Sequence, residues 1–258
     1  MSKVFFYTPT KISYLDLVSI GGSDKEGDEA TIGQFHTGLK NAIAMFMRNN
    51  VSITFNVYSD GECTSFTPEI FTKECKETNK SKELIGFHKN DGTFIESTVS
   101  PRLGFDWEPW MALREIYANM VDEGGYYEER EVNVSSGTEV VLDFNNNTQF
   151  QEIWTNRSLY FNEEEPLYKL DDLDILDNPL GYLKIYKQNI LVYSDKNKKS
   201  KYAYNIHFGN LDDRRTLRDM SQEMSRILRI VGTTDNIEFI ASVISTSKFE
   251  DALNNYSF

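Results

Sequence analysis

Apolar and polar positions along this chain change their period repeatedly, and the period indicates the element. Val4 to Tyr7 is a short apolar run of strand length. After a polar, glycine-rich stretch from Ser19 to Thr31, the residues Leu39, Ala42, Ile43, Phe46 and Met47 recur at the spacing of a helix with one buried face. Val51 to Tyr58 alternates with period two and runs into Ser59-Asp60-Gly61, a hairpin signal that predicts Cys63 to Phe66 as the returning strand. Asn90-Asp91-Gly92 predicts a second hairpin. Glu108 to Val121 reads as a helix, with Pro109 in the first turn, where a missing N–H does no harm. Trp110, Leu113, Tyr117 and Met120 form its apolar stripe, and Gly124-Gly125 stops it.

Strand-like runs recur at Glu139 to Phe144, Tyr182 to Tyr186, Ile190 to Tyr193 and Tyr202 to Phe208. The acidic stretch between them, Asn162 to Asp177, reads as a surface loop or short helix. Leu217, Met220, Met224, Ile227, Leu228 and Val231 predict a helix ended by Gly232, and Ser247 with Glu250 makes a capping-box signature ahead of Leu253. No repeat or proline-rich linker divides the chain. The expected architecture is α+β, a two-layer sandwich of helices on one face of a mixed β-sheet over residues 1–210, with a C-terminal helical segment, residues 211–258, packed on it.

Composition supports a packed core: 40% of the 258 residues are hydrophobic and 13% aromatic, despite a mean hydropathy of -0.49. A formal charge of -13 argues against nonspecific binding to nucleic acid, which needs clustered Lys and Arg on the phosphates. The two cysteines, Cys63 and Cys75, and the scattered His36, His88 and His207 suggest neither a disulfide framework nor a zinc site. The opening residues have too short an apolar run for a signal peptide, and no stretch approaches the roughly 20 apolar residues of a membrane span, so a cytoplasmic protein is expected.

Two segments carry candidate chemistry. Gly33 and Gly38 lie in IGQFHTGLKNAIA, Ile32 to Ala44, before and at the start of the first amphipathic helix, where free N–H groups and the helix dipole favour an anion. The string resembles the second glycine box of the GHKL ATPases, in which ninety-kilodalton heat-shock chaperones carry IGQFGVGFYSAF. The loop before it, SIGGSDKEGDEAT, has the composition of that family's ATP lid. The second segment, ALREIYANMVDEGG from Ala112 to Gly125, resembles the family's N box, a helix with Glu and, four residues on, Asn. Here those are Glu115 and Asn119, which share a helix face with Asp122.

The resemblance implies a Bergerat-like fold binding ATP and Mg²⁺. Gly33, His36, Gly38 and Lys40 would lie at the phosphates, Asp122 would extend the site, Asn119 would ligate Mg²⁺, and Glu115 would be general base if hydrolysis occurs. By residue pattern alone, Glu115, Asn119 and Asp122 are equally the solvated side of an amphipathic helix. The N box follows the glycine box instead of preceding it, the order of a circularly permuted chain, which compact domains with neighbouring termini tolerate.

These strings, with YNIHFGNLDDRR, also resemble small GHKL-like proteins encoded by bacteriophages. Tyr204, Asn205, Asp213 and Arg214 of that third block read equally as a strand end and a helix cap. Two departures stand out: His36 replaces a glycine of the family string, and no DxGxG precedes the lid, so the Asp that reads adenine is missing from its place and Asp16 is the substitute. The competing expectation is an acidic, non-enzymatic protein that retains the fold and occupies a host or viral protein partner. A third, hydrolysis by a carboxylate pair, has no specific residues behind it, since paired carboxylates arise by chance among 40 Asp and Glu.

Overall fold

The computed structural model describes residues 2–19, 37–75, 80–212 and 215–244. It is an α+β protein whose chain separates into two compact units, Met1–Asn156 and Arg157–Phe258. The boundary expected at residue 210 falls inside the second unit, because the strands after Asn156 build a sheet of their own. No helix among the described residues is long and apolar enough to cross a membrane.

Among the described residues the first unit is built on seven strands: β1 (Lys3–Thr8), β2 (Ser52–Ser59), β3 (Glu62–Cys75), β4 (Lys80–Lys89), β5 (Phe94–Ile95), β6 (Tyr126–Glu128) and β7 (Gly137–Asp143). They lie in the order β5-β4-β3-β2-β7-β1-β6, and every neighbouring pair is antiparallel. Accompanying them are the helices α1 (Tyr14–Val18), α2 (Thr37–Arg48), α3 (Pro109–Asp122) and α4 (Thr148–Thr155).

The register explains why helices cover one face. Leu142 stands opposite both Val4 and Ile53, and Val140 opposite both Phe6 and Phe55, so six apolar side chains in two cross-strand rows point the same way, and all are buried. Phe6 meets Trp154 of α4 edge-on at 5.4 Å between ring centroids, and Phe46 of α2 lies 5.4 Å from Phe150 of α4. Each large side chain so buried contributes roughly 1.5–3 kcal/mol. The opposite face carries a polar row: Asn56 stands across from Glu139 and donates to it at 2.6 Å, with the Tyr58 hydroxyl 3.2 Å from the same carboxylate oxygen. Burial, and then the Glu139 charge, hold the Tyr58 hydroxyl above its ordinary pKa.

Local chemistry sets the turns. Asp60 and Gly61 between β2 and β3 both have positive φ, 54° and 84°, as a two-residue type I′ hairpin requires. At the end of α3, Gly124 has φ 67°, and the N–H groups of Gly125 and Gly124 bond the carbonyls of Met120 and Val121 at 2.8 and 3.0 Å, a Schellman closure. The returning strand of the first hairpin is much longer than the expected Cys63 to Phe66. β3 continues through Pro68 to Cys75 and pairs with β4 over its whole added length. Pro68 cannot donate to a ladder, and the β2–β3 ladder stops at Phe55 opposite Phe66, just short of it.

The second unit holds β8 (Tyr168–Leu170), β9 (Leu173–Leu176), β10 (Tyr182–Lys187), β11 (Ile190–Lys199) and β12 (Ala203–Ile206), ordered β11-β10-β12-β9-β8. Mixed pairing occurs here, through the parallel β10–β12 pair. The acidic stretch expected as loop or short helix contains β8 and β9, with Leu173, Ile175 and Leu176 buried. Its alternation was masked by aspartates, of which Asp174 receives hydrogen bonds at 3.0 Å from Asn205 and 2.9 Å from His207. Helix α5 (Met220–Thr233) includes Gly232 instead of stopping before it, and α6 (Ile237–Ile244) follows, with Phe239 packed on Tyr168 and Tyr202. The capping box at Ser247 and Glu250 lies outside the described residues.

Candidate functional site

The two segments that resemble the GHKL boxes meet at one point. α2 and α3 pack side by side, and Gly38, in the first turn of α2, faces Glu115 in the middle of α3. A Cβ added at Gly38 would lie 2.0 Å from Glu115 Oε2 and 2.8 Å from its Cδ, so the carboxylate occupies the space a side chain would take. Glycine is needed here for close approach rather than for its backbone freedom.

Glu115 is 1% exposed and therefore does not belong to a solvated helix side. A buried carboxylate needs a partner, and Arg114, itself 0% exposed, brings Nη2 to 3.5 Å from Glu115 Oε1. The guanidinium in turn lies 5.0 Å from the ring of Trp110 and 6.0 Å from that of Trp107, within cation–π range. The sequence reading passed over Arg114, although a tryptophan on each side of the helix start followed by an arginine was the available signal.

Asn119 and Asp122 continue the row from Glu115 at one- and two-turn spacing, and both are half-buried, so the row runs from a dry end at Gly38 to a wetter one. Lys40 is 1% exposed rather than solvated. It stands two residues beyond Gly38, about 200° further round α2, and so does not share the face that meets Glu115. Burial depresses the Lys40 ammonium pKa, and the Asp16 charge opposes that shift. Asp16, the substitute reader of adenine, is engaged locally: it accepts from the Ser13 N–H at 2.7 Å and the Ser13 hydroxyl at 2.8 Å, and its own N–H donates back to Ser13 Oγ at 3.4 Å, completing the capping box of α1.

Gly33 and His36 lie outside the described residues, as do Asp213 and Arg214 of the third block. Asn205 of that block is buried in β12, where its amide carbonyl accepts from the Asn189 N–H at 2.8 Å and its NH₂ donates to Asp174, a strand-fastening role. Among the described residues no group of three His, Cys, Asp or Glu could enclose a metal ion. Asn119 with its neighbours would suit Mg²⁺ only where nucleotide oxygens and waters complete the octahedron.

The Gly38–Glu115 contact makes a stability prediction. Gly38→Ala should improve helix propensity by up to about 1 kcal/mol, yet it is expected to destabilise the first unit by about 1–3 kcal/mol, because the added methyl displaces the carboxylate from Arg114. In a Glu115→Ala background the same substitution should be neutral or stabilising, a coupling readable as a double-mutant cycle from urea midpoints. An equal loss in both backgrounds would mean that the carboxylate does not lie on Gly38.

No protein-family model matches this chain, and comparison with curated proteins returns no relative.

Proposed function

We propose that the first unit binds ATP with Mg²⁺ where the start of α2 meets the middle of α3. The observation that supports this reading is the approach of Gly38 to Glu115: two strings far apart in sequence, each resembling a GHKL box, converge on one point. In this reading the backbone around Gly33, His36 and Gly38 receives the phosphates, whose charge the N–H groups of a helix start favour. Asn119 contributes an oxygen to Mg²⁺, Asp122 supports the bound waters, and Lys40, buried on another face of α2, adds long-range positive charge. Glu115 orients and deprotonates the attacking water if turnover occurs. The protein would act in the cytoplasm, where ATP and Mg²⁺ are supplied, as a small switch toward a protein partner.

Thermal denaturation with and without nucleotide tests the proposal. A ligand that binds only the folded state adds about 2.7 kcal/mol at roughly 100 times its Kd, which for a unit of this size raises the first unit's Tm by several degrees. No shift with ATP and Mg²⁺ at millimolar concentration would overturn it.

A second reading, a non-enzymatic acidic protein that retains the fold and occupies a partner's site, is favoured by one observation. Glu115 is buried, fills the space over Gly38 and lies 3.5 Å from the Arg114 guanidinium, an arrangement that a purely structural ion pair accounts for without catalysis. ATP binding without turnover would support a nucleotide-gated version of it, and no ATP binding the plain version.

A further inference from the structure

The open edge of β3 carries a self-complementary pattern. Past Phe66 the strand loses β2 as a neighbour and continues to Cys75 with only β4 beside it among the described residues. The hydrogen-bonding rhythm shows which groups are left over. The two-residue turn makes Ser59 and Glu62 a hydrogen-bonded pair, so even-numbered residues of β3 direct their N–H and C=O toward the β2 side. The far side agrees: Ile85, opposite Ile70, sends its N–H away from β3 to the carbonyl of Val99 at 2.9 Å. Ile70, Thr72 and Glu74 therefore present backbone donors and acceptors to the open edge, and no described residue takes them. Pro68 presents only an acceptor.

We propose that two copies of this chain pair antiparallel along this edge, about a two-fold axis through Phe71. In that register Ile70 and Thr72 of each copy exchange N–H···O=C bonds, and the Glu74 N–H meets the Pro68 carbonyl, which needs no donor from the proline. The facing pairs between them are the non-hydrogen-bonded kind, in which side chains approach closest. They place Phe71 against Phe71 and Glu69 against Lys73 of the other copy, twice by symmetry. Charge complementarity selects this register: one centred on residue 69 or 73 sets like charges face to face, and those centred on 70 or 72 pair neither. The side chains are accessible, for Glu69 and Lys73 are exposed and, among the described residues, bonded only to the exposed His88 and Glu96. Phe71 adds an apolar centre with Phe94, 36% exposed, edge-on to it at 5.3 Å. An unblocked edge strand is a ready template for a second chain, and the charges here restrict the template to one partner and one register.

Sedimentation velocity of the full chain over a concentration series up to millimolar tests this. Wild type should dimerise reversibly. Glu69→Lys and Lys73→Glu should each weaken the dimer about tenfold or more, since either sets two like-charged pairs across the axis. Mixing the two variants should restore it, because one variant then carries lysine at both positions and the other glutamate at both, so each facing pair again joins opposite charges. Misfolded variants could not give that result. Thr72→Pro, which removes only an edge-facing donor, should abolish association while leaving the circular dichroism spectrum unchanged. A wild type that stays monomeric throughout, a dimer that persists in both single variants, or a mixture that fails to re-form it would overturn the proposal.

Discussion

Glu115→Gln is expected to leave the affinity for ATP and Mg²⁺ nearly unchanged and to cut turnover by on the order of 10² to 10⁴. The reason is differential: a general base acts on the water in the transition state and makes little contact with the bound nucleotide, so its loss appears in kcat and not in ground-state binding. Glutamine is the informative replacement because it keeps the shape that fills the space over Gly38 and removes only the charge beside Arg114. Asn119→Ala should behave differently in kind, weakening Mg²⁺-dependent binding as well as turnover, since a metal ligand contributes to the ground-state complex. Calorimetric affinity and phosphate release on the same preparations separate the two. Equal affinity and turnover in wild type and both variants would remove the N-box role from α3 and leave Glu115 as a buried structural partner of Arg114.

Trp154→Ala is expected to cost the first unit about 3–5 kcal/mol, a large share of the roughly 5–15 kcal/mol that holds a domain folded. Trp154 is 2% exposed and stands edge-on to Phe6 of β1 at 5.4 Å and to Tyr127 of β6 at 5.1 Å, with its indole N–H donating to Glu129 at 3.3 Å. Truncation removes both ring contacts and leaves a cavity between α4 and the sheet that the surrounding strands cannot close. Trp154→Phe keeps a ring in place and should lose clearly less. Urea denaturation followed by far-ultraviolet circular dichroism reads both values. A loss under about 1 kcal/mol for the alanine variant, within the range of surface substitutions, would mean that α4 does not pack on this face.

The two experiments test different levels of the same arrangement. The Trp154 substitution tests whether the helical layer is seated on the sheet, which is the condition for α2 and α3 to meet. The Glu115 substitution tests what their meeting does. A large stability loss at Trp154 with no nucleotide effect at Glu115 would favour the fold-retaining interaction protein over the ATPase.

What the sequence determined by itself is what local interactions decide. The three-and-four spacing of Leu39, Ala42, Ile43 and Phe46 is a property of one helix, as is the left-handed closure at Gly124 after α3, and both elements form where the pattern puts them. Asp60-Gly61 carries its turn type in its own backbone preferences, and the strands β1, β2 and β7 are legible from apolar side chains a few residues apart. The short α1, α4 and α6 were not legible, because helices of five to eight residues give too few turns for a period to show. Nor was β9, whose Asp174 extends a run of aspartates that looks solvated until Asn205 of β12 and His207 just after it come in as its partners.

Only the tertiary structure decided which surfaces meet. The pattern of α3 put Glu115 on the polar side with Asn119 and Asp122, and a helix taken alone would leave that side in water. Packing of α2 against it buries the carboxylate over Gly38, recruits Arg114 as its counter-charge and leaves the other two half-wet. Lys40 is buried for the same reason, since α2 is enclosed on more sides than its apolar stripe announces. The division of the chain at Asn156 and the open edge of β3 likewise depend on sheet order, which is fixed by cross-strand pairing between residues distant in sequence. Periodicity reports the face an element turns to a core; the partner that covers that face is set by long-range packing, which no window of local sequence contains.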